Sequence, residues 1–267
     1  MDQMIEPRAA GFHSVEEFYD RLAPEYDAMT AMEKRFVREE PFFRLLVQRY
    51  RIGSALDAGC GTGFHSIVLA SLGVRVTAVD ISGRMLEELA RHTAQLGLDI
   101  RTVQSQFAGL PARLGERFDA VFCMGNTLAH LLTKQELGAT LESFARLLVP
   151  GGILFAQVLN YDRILLDRPH TQSVRETPRG TFIRSYEYLD DTIRFTIRTE
   201  PPPGSGGQEQ TQSVELRPVR SSELSAMLVR AGFDEVQTFG SIAMEPYDAT
   251  TSGDLVVLGR QGEGERT

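Results

Sequence analysis

The sequence predicts an α/β fold: a mostly parallel sheet with helices on both faces, interrupted by an antiparallel β insertion. Three observations carry this. From residue 53 onward, short apolar strands alternate with helices, the pattern of parallel strands joined by helical crossovers. A glycine-rich turn, Asp57-Ala58-Gly59-Cys60-Gly61-Thr62-Gly63, stands between the first of these strands and its helix. Residues 182–188 and 193–197 then alternate with period two around Asp190-Asp191, as an antiparallel hairpin does.

Taken in order, residues 1–50 predict an N-terminal helical lid. Ser14 and Glu17 have capping-box spacing. Phe18, Leu22, Tyr26 and Met29 recur at helical intervals, with Pro24 expected to break or kink that helix. A second helix, Glu33 to Tyr50, carries Phe36, Val37, Phe43, Leu46 and Val47, with Pro41 inside it. Residues 51–159 and 219–260 predict the core. Ala55-Leu56 is a short buried strand, 66–72 a helix ending at Gly73, and 74–79 a β-branched strand. Ser82 caps a helix that stops at Gly97, where a C′ glycine belongs. Strands follow at 100–103 and 118–123. Thr133 and Glu136 form a second capping box, and the helix after it buries Leu137, Leu141, Phe144 and Leu148 until Pro150-Gly151-Gly152 ends it. The fifth strand is 153–159.

Residues 160–218 predict a β-rich insertion covering the substrate. Ile193, Phe195 and Ile197 share one face, 201–210 is a flexible tip, and 212–216 is a further strand. The α/β pattern resumes with a helix stripe of Leu224, Met227, Leu228 and Ala231, stopped by Gly232. Strands at 236–239 and 255–258 bring the sheet to seven. The tail, 261–267, reads as flexible.

Composition excludes several classes. The chain has 267 residues, 42% hydrophobic and 24% charged, ordinary for a soluble protein. Apolar runs such as 153–156 fall far short of the ~20 residues that span a bilayer. No basic segment followed by an apolar stretch opens the chain, so no signal peptide is expected. Two cysteines, Cys60 and Cys123, make neither a disulfide framework nor a metal cluster, which points to the cytoplasm and to no metal. They read as packing residues. A net charge of −8 argues against a nucleic-acid partner.

The glycine turn is where chemistry concentrates. Glycines let backbone approach a ligand and permit positive φ, and the helix beyond favours a negative group such as a carboxylate. Asp80 ends the next strand, where an acid can accept both hydroxyls of a ribose. The dinucleotide fingerprint G-x-G-x-x-G fails from either start, because Phe64 or Ser66 stands at its third glycine. The arrangement D-x-G-x-G-x-G instead resembles motif I of class I S-adenosylmethionine-dependent methyltransferases, which have a Rossmann-like fold. The resemblance runs from about Ser54 to Leu159 and resumes at Ser221, through Phe118-Asp119-Ala120-Val121, Pro150-Gly151-Gly152 and Ala231-Gly232-Phe233. It implies that Asp57, Ala58, Gly59, Gly61 and Gly63 hold the methionine end of S-adenosyl-L-methionine and that Asp80 holds its ribose. It implies further that Ile81 and Met85 flank the adenine, with Gln106 and Phe107 nearby; Gln106 replaces an aspartate usual in the family, and its amide oxygen can accept the same hydrogen bond. Met124, Gly125 and Asn126 would lie beside the transferred methyl, and the product would be S-adenosyl-L-homocysteine.

Residues 123–131, Cys-Met-Gly-Asn-Thr-Leu-Ala-His-Leu, and Asn160-Tyr161-Asp162 resemble the glycine and sarcosine N-methyltransferase branch. That branch places a carboxylate-clamping arginine immediately before Asn-Tyr-Asp. Leu159 stands there in this chain and cannot replace a bidentate arginine. The expectation is therefore a small-molecule N, O or carboxylate acceptor that is not glycine, in a less polar pocket. Arg163, Arg168, Arg184 or Arg194 could supply charge from the insertion. Candidate catalytic residues are His130, Tyr26, Tyr161 and His65; His13, His92 and His170 read as surface. A homo-oligomer is open, since strand edges of the insertion could pair between subunits. A protein or RNA methyltransferase and a non-catalytic cofactor-binding module are the alternatives.

Overall fold

Residues 13–262, apart from the Glu33 side chain, are described by a computed structural model. A capping box opens α1 (Val15–Thr30): Glu17 N donates to Ser14 Oγ, and Ser14 N donates back to the Glu17 carboxylate. Of the expected break or kink at Pro24, the break does not occur: the helix continues through it. An interior proline costs roughly 3 kcal/mol. Burial of Phe18, Leu22 and Met29 on one face, at about 1.5–3 kcal/mol each, offsets it. Two aspartates seven residues apart fasten the same helix to the core. Asp20 accepts from Ser82 Oγ at 2.6 Å and from Arg84 N, and Asp27 accepts from Thr62 Oγ1 at 2.7 Å. His92, read as a surface residue, completes this fastening: its side chain is only 12% exposed, with Nε2 3.0 Å from Asp27 Oδ2. His170 is exposed and His13 half-buried.

The second helix, α2 (Met32–Tyr50), continues through Pro41. Then come β1 (Ser54–Ala58), α3 (Phe64–Ser71), β2 (Arg75–Asp80), α4 (Gly83–Leu96), β3 (Arg101–Gln104), α5 (Leu110–Leu114), β4 (Phe118–Cys123), α6 (Lys134–Leu147) and β5 (Leu148–Leu159). Next are α7 (Tyr161–Asp167), β6 (Thr171–Thr177), β7 (Gly180–Tyr188), β8 (Ile193–Glu200) and β9 (Gln210–Leu216). The chain closes with α8 (Ser221–Arg230), β10 (Phe233–Phe239) and β11 (Asp254–Gln261).

The main sheet has the order β10-β11-β5-β4-β1-β2-β3. Its first five strands in sequence pair in parallel, while β11 lies antiparallel to β5 and β10. Seven strands and mostly parallel pairing match the sequence expectation. Both capping boxes form, and Gly97 ends α4 at φ 66°. One boundary differs. Pro150-Gly151-Gly152 does not separate helix from strand, because β5 already pairs at Leu148. Gly152 allows this: a Cβ there would stand 3.0 Å from Asp119 O on the neighbouring strand.

Within 160–218 the chain is not all β. Asn160 caps α7 by accepting from Arg163 N, and Tyr161 and Ile164, three apart, are buried. The remainder forms the antiparallel sheet β6-β7-β8-β9. Its inner face presents Phe182, Tyr186, Ile193, Phe195, Ile197, Val214 and Leu216 to the core. Phe18 of α1 meets Phe195 at a centroid distance of 6.2 Å, and one apolar cluster joins this sheet, α1 and one face of the main sheet. Residues 201–209 are irregular. Of the predicted flexible tail, 263–267 lies outside the described residues, as do residues 1–12 of the predicted lid. Among the described residues no helix is long and apolar enough to cross a membrane.

Candidate active site

The fully buried strand β1 delivers the glycine loop to the carboxyl end of the sheet. Gly59 N and Cys60 N donate to Val79 O at 2.7 and 3.0 Å, which binds the loop to β2. Gly59, Gly61 and Gly63 have φ of 76°, 56° and 89°. Close approach also requires two of them to be glycine. A Cβ on Gly59 would come within 2.4 Å of Thr127 Cγ2, and one on Gly63 within 2.1 Å of Leu89 Cδ1. Gly97 has similar φ but open space. Gly63→Ala is therefore expected to cost about 2–3 kcal/mol, combining left-handed strain with overpacking, against about 1 kcal/mol for Gly97→Ala. Urea unfolding of both variants checks this; equal losses would contradict it.

Asp80 ends β2 with its carboxylate at the cavity wall. Gly61 N donates to Oδ2 at 2.8 Å and Ser82 N to Oδ1 at 2.9 Å, so the acid orders both the loop and the start of α4. Burial raises its pKa against these backbone hydrogen bonds. Asp57 lies deeper. Ser66 Oγ donates to its Oδ2 at 2.6 Å, Oδ1 is buried without a partner, and burial pushes the acid up to about 7.

A cavity of about 780 Å³ opens in front of the loop. Of the residues predicted to bind cofactor, it brings together Gly59, Gly61, Asp80, Ile81, Gln106, Phe107, Met124 and Gly125. Tyr26, His65 and His130, predicted as catalytic, also line it. The other predicted residues stand behind the wall. Asp57, Ala58 and Met85 are buried in the core, and Leu89 covers Gly63. Asn126 Nδ2 donates to Tyr161 Oη at 2.9 Å, and its Oδ1 accepts from Leu159 N at 3.1 Å. The pair brackets the ends of β4 and β5, so Asn126 does not face the cavity, and Tyr161, 1% exposed, is no wall residue. The flanking motif residues are structural too. Asn160 Nδ2 donates to the carbonyls of Asp248, Ala249 and Ser252, and Asp162 accepts from Ser221 N and Tyr247 Oη. No residue of 160–218 lines the cavity; the insertion touches the site through α1.

Among the wall residues that escaped the sequence reading, Tyr19 and Arg35 carry polar groups into the site. Tyr19, seven positions before Tyr26 on the same face of α1, pairs its hydroxyl with His130 Nε2 at 2.8 Å. Arg35 of α2 reaches the loop with its guanidinium 4.0 Å over the Phe64 ring and its Nε and Nη2 on Glu39. The i, i+7 tyrosines were a visible signal; Arg35 had none.

Burial sets the protonation of this end. It lowers His130 to about 4 and raises Tyr19 well above an ordinary tyrosine. The neutral pair is favoured, and the imidazole tautomer decides which of Tyr19 Oη and Nε2 donates. His130 Nδ1 is buried without a partner. His65 is also driven well below the ordinary histidine value, by burial and by Arg35 3.4 Å away, and packs against Phe43 and Phe64. An unfolded histidine titrates near 6.5. The stability due to neutral His130 is therefore complete above that pH and is lost as pH falls toward about 4. Between pH 7 and 4.5 the wild type should lose about 2–3 kcal/mol more unfolding free energy than His130→Gln, at about 1.4 kcal/mol per unit. Urea titrations at the two pH values measure this, and equal losses would contradict it.

The wall fits S-adenosylmethionine. The glycine turn borders the cavity through Gly59 and Gly61, Asp80 offers acceptors for ribose hydroxyls, and Arg35 stands beside the N-terminus of α3 for a carboxylate. Comparison with known proteins agrees. Residues 55–152 match a family described as "Methyltransferase domain". The chain is 30% identical over 237 residues to a glycine/sarcosine N-methyltransferase of Aphanothece halophytica, covering 85% of this chain and 84% of that one. It is 31% identical over 225 residues to the cypemycin N-terminal methyltransferase of a Streptomyces species, covering 78% and 83%. In fold it resembles an S-adenosylmethionine-dependent methyltransferase from Clostridium acetobutylicum, with a TM-score of 0.79 at 16% identity, covering 91% of this chain and 99% of that one. With the glycine loop, Asp80 at the end of β2 and the seven-stranded topology in place, the chain belongs to the class I S-adenosylmethionine-dependent methyltransferases, near the glycine/sarcosine branch.

Proposed function

We propose that the cavity passes the methyl group of S-adenosylmethionine to a small molecule seated between Tyr19, Tyr26 and His130. One observation supports this above others: a single cavity joins Asp80 and the glycine loop to the Tyr19–His130 pair. The cofactor supplies an electrophilic methyl on a sulfonium. The chain supplies position and proton handling. Asp80 fixes the ribose, Arg35 the carboxylate, and the backbone of Gly59 to Thr62 the methionine chain. Met124 excludes water from the reacting end and Phe107 from the adenine end. Tyr19 takes the proton of the acceptor as His130 Nε2 takes that of Tyr19, so the acceptor lone pair is free in near-attack geometry. The described part of the predicted lid, residues 13–50, covers the site, held by Asp20 and Asp27, and the sheet of the insertion backs it. Cys60 and Cys123 are both free and buried, in keeping with a reducing cytoplasm. The net charge of −8 speaks against nucleic acid as partner.

A peptide amino terminus is the second reading, favoured by the likeness to the cypemycin enzyme. Incubation with methyl-labelled cofactor against pooled amines, phenols, carboxylates and short peptides separates the two. Label in the small-molecule pools is the expected result; label confined to peptides would favour the second reading, and label nowhere would refute both. Glycine and sarcosine are expected to turn over at least about tenfold less efficiently than the best acceptor, the least loss for a missing charged hydrogen bond, because Leu159 replaces the clamp. Initial rates on the three acceptors check this, and equal efficiency would contradict it.

A further inference from the structure

Arg35 lines the cavity and is fixed on three sides. Its Nε and Nη2 donate to the two carboxylate oxygens of Glu39, one turn further along α2, at 3.1 and 3.2 Å. The Phe64 ring lies under the guanidinium at 4.0 Å. Nη2 also reaches Nε2 of His65 at 3.4 Å. Arginine only donates, so Nε2 accepts and the ring hydrogen sits on Nδ1. The burial that keeps His65 uncharged keeps this acceptor available.

Glu39 is unusual for its helix. Lys34, Arg38, Arg44 and Arg49 of α2 are exposed, whereas Glu39 is 3% exposed. A carboxylate is buried at a cost that pairing must offset, and Glu39 is paired twice, since Arg38 Nη2 also donates to its Oε1 at 2.8 Å. The bonds of Arg35 to Glu39 and His65 use Nε and Nη2. Among the described residues Nη1 has no partner, so its two hydrogens are left for a ligand. An arginine already held in one pose has lost its rotamer freedom on folding, and less is lost when it binds.

We propose that Glu39 and His65 are positioning residues: they hold the guanidinium of Arg35 so that Nη1 meets the carboxylate of the cofactor, and they thereby set the preference for a cofactor that carries one. This rests on the reading of Arg35 as the group that binds that carboxylate. His65, marked by the sequence as a catalytic candidate, then acts through Arg35 and not on the acceptor. Charge alone predicts the opposite sign. An anion beside the site repels a second anion, so neutralising Glu39 would tighten carboxylate binding if Glu39 had no positioning role.

The test is calorimetric titration with S-adenosylhomocysteine and with S-adenosyl-3-thiopropylamine, the same molecule without its carboxylate. The unmodified protein is expected to prefer S-adenosylhomocysteine by about tenfold or more, the range for a charged hydrogen bond. Glu39→Gln keeps the shape and one acceptor but loses the charged pairing, and should cut that preference by about threefold or more while the thiopropylamine affinity holds within about twofold. His65→Leu should cut the preference in the same direction, and His65→Gln, which restores an acceptor, should recover part of it. This pair serves if Glu39→Gln fails to fold. A preference that survives both Glu39→Gln and His65→Leu, one that grows in Glu39→Gln, or equal weakening of both ligands would overturn the positioning role and leave Arg35 standing. An unmodified protein that binds both ligands equally would overturn Arg35 as the carboxylate ligand, and the role of its neighbours with it.

Discussion

His130→Ala is expected to lower kcat by about 10²–10⁴ while S-adenosylhomocysteine affinity holds within about threefold, the effect of removing a positioned base. The split follows from the geometry. His130 lines the cavity with Nε2 on Tyr19 Oη, while Gly61 N and Ser82 N hold Asp80. Because burial holds the imidazole near 4, the acid limb of the rate profile should not carry the inflection near 6.5 that an ordinary histidine would give. Tyr19→Phe keeps the ring and removes the relay hydroxyl, so it should reproduce most of the kcat loss. A loss below about threefold in His130→Ala would make the histidine a packing residue and leave Tyr19 or solvent to take the proton.

Asp80→Ala should weaken S-adenosylhomocysteine by about 1.5–3 kcal/mol, roughly 10- to 150-fold, the value of hydrogen bonds to a charged group. The structure gives this acid a double role, since Gly61 N and Ser82 N also donate to it. The alanine variant therefore loses ribose acceptors and loop order together. Asp80→Asn keeps one oxygen for the loop, removes the charge, and should fall between wild type and alanine. Calorimetry of the three proteins measures the series. Unchanged affinity in Asp80→Ala would remove the ribose assignment, and a preference of the wild type for a nicotinamide dinucleotide would overturn the cofactor.

Much of this was legible in the sequence because it is local. The glycine loop, Asp80, both capping boxes and the Gly97 stop each depend on a few consecutive residues, and each forms. The hairpin of β7 and β8 was visible as period two. What escaped depends on packing between distant segments. Arg35 reaches the loop only because α2 folds back across about thirty residues of chain. Tyr19 meets His130 across more than a hundred. Pro24 stays helical because the core and two aspartate contacts hold α1, a tertiary term that propensity lacks. Asn126 and Tyr161 sit at the strand ends that the family resemblance marks, yet their side chains bond each other and the backbone of Leu159. The chain order placed them at the site, and only the hydrogen bonds show which way they turn.

The most direct test of the account is a crystal structure of the protein with S-adenosylhomocysteine. The ribose hydroxyls should lie on Asp80, the carboxylate on Arg35 and the start of α3, and the sulfur should face the space between Tyr19, Tyr26 and His130. A sulfur directed instead along α6 toward Arg146, with that tyrosine–histidine end remote from it, would contradict the assignment of the acceptor site.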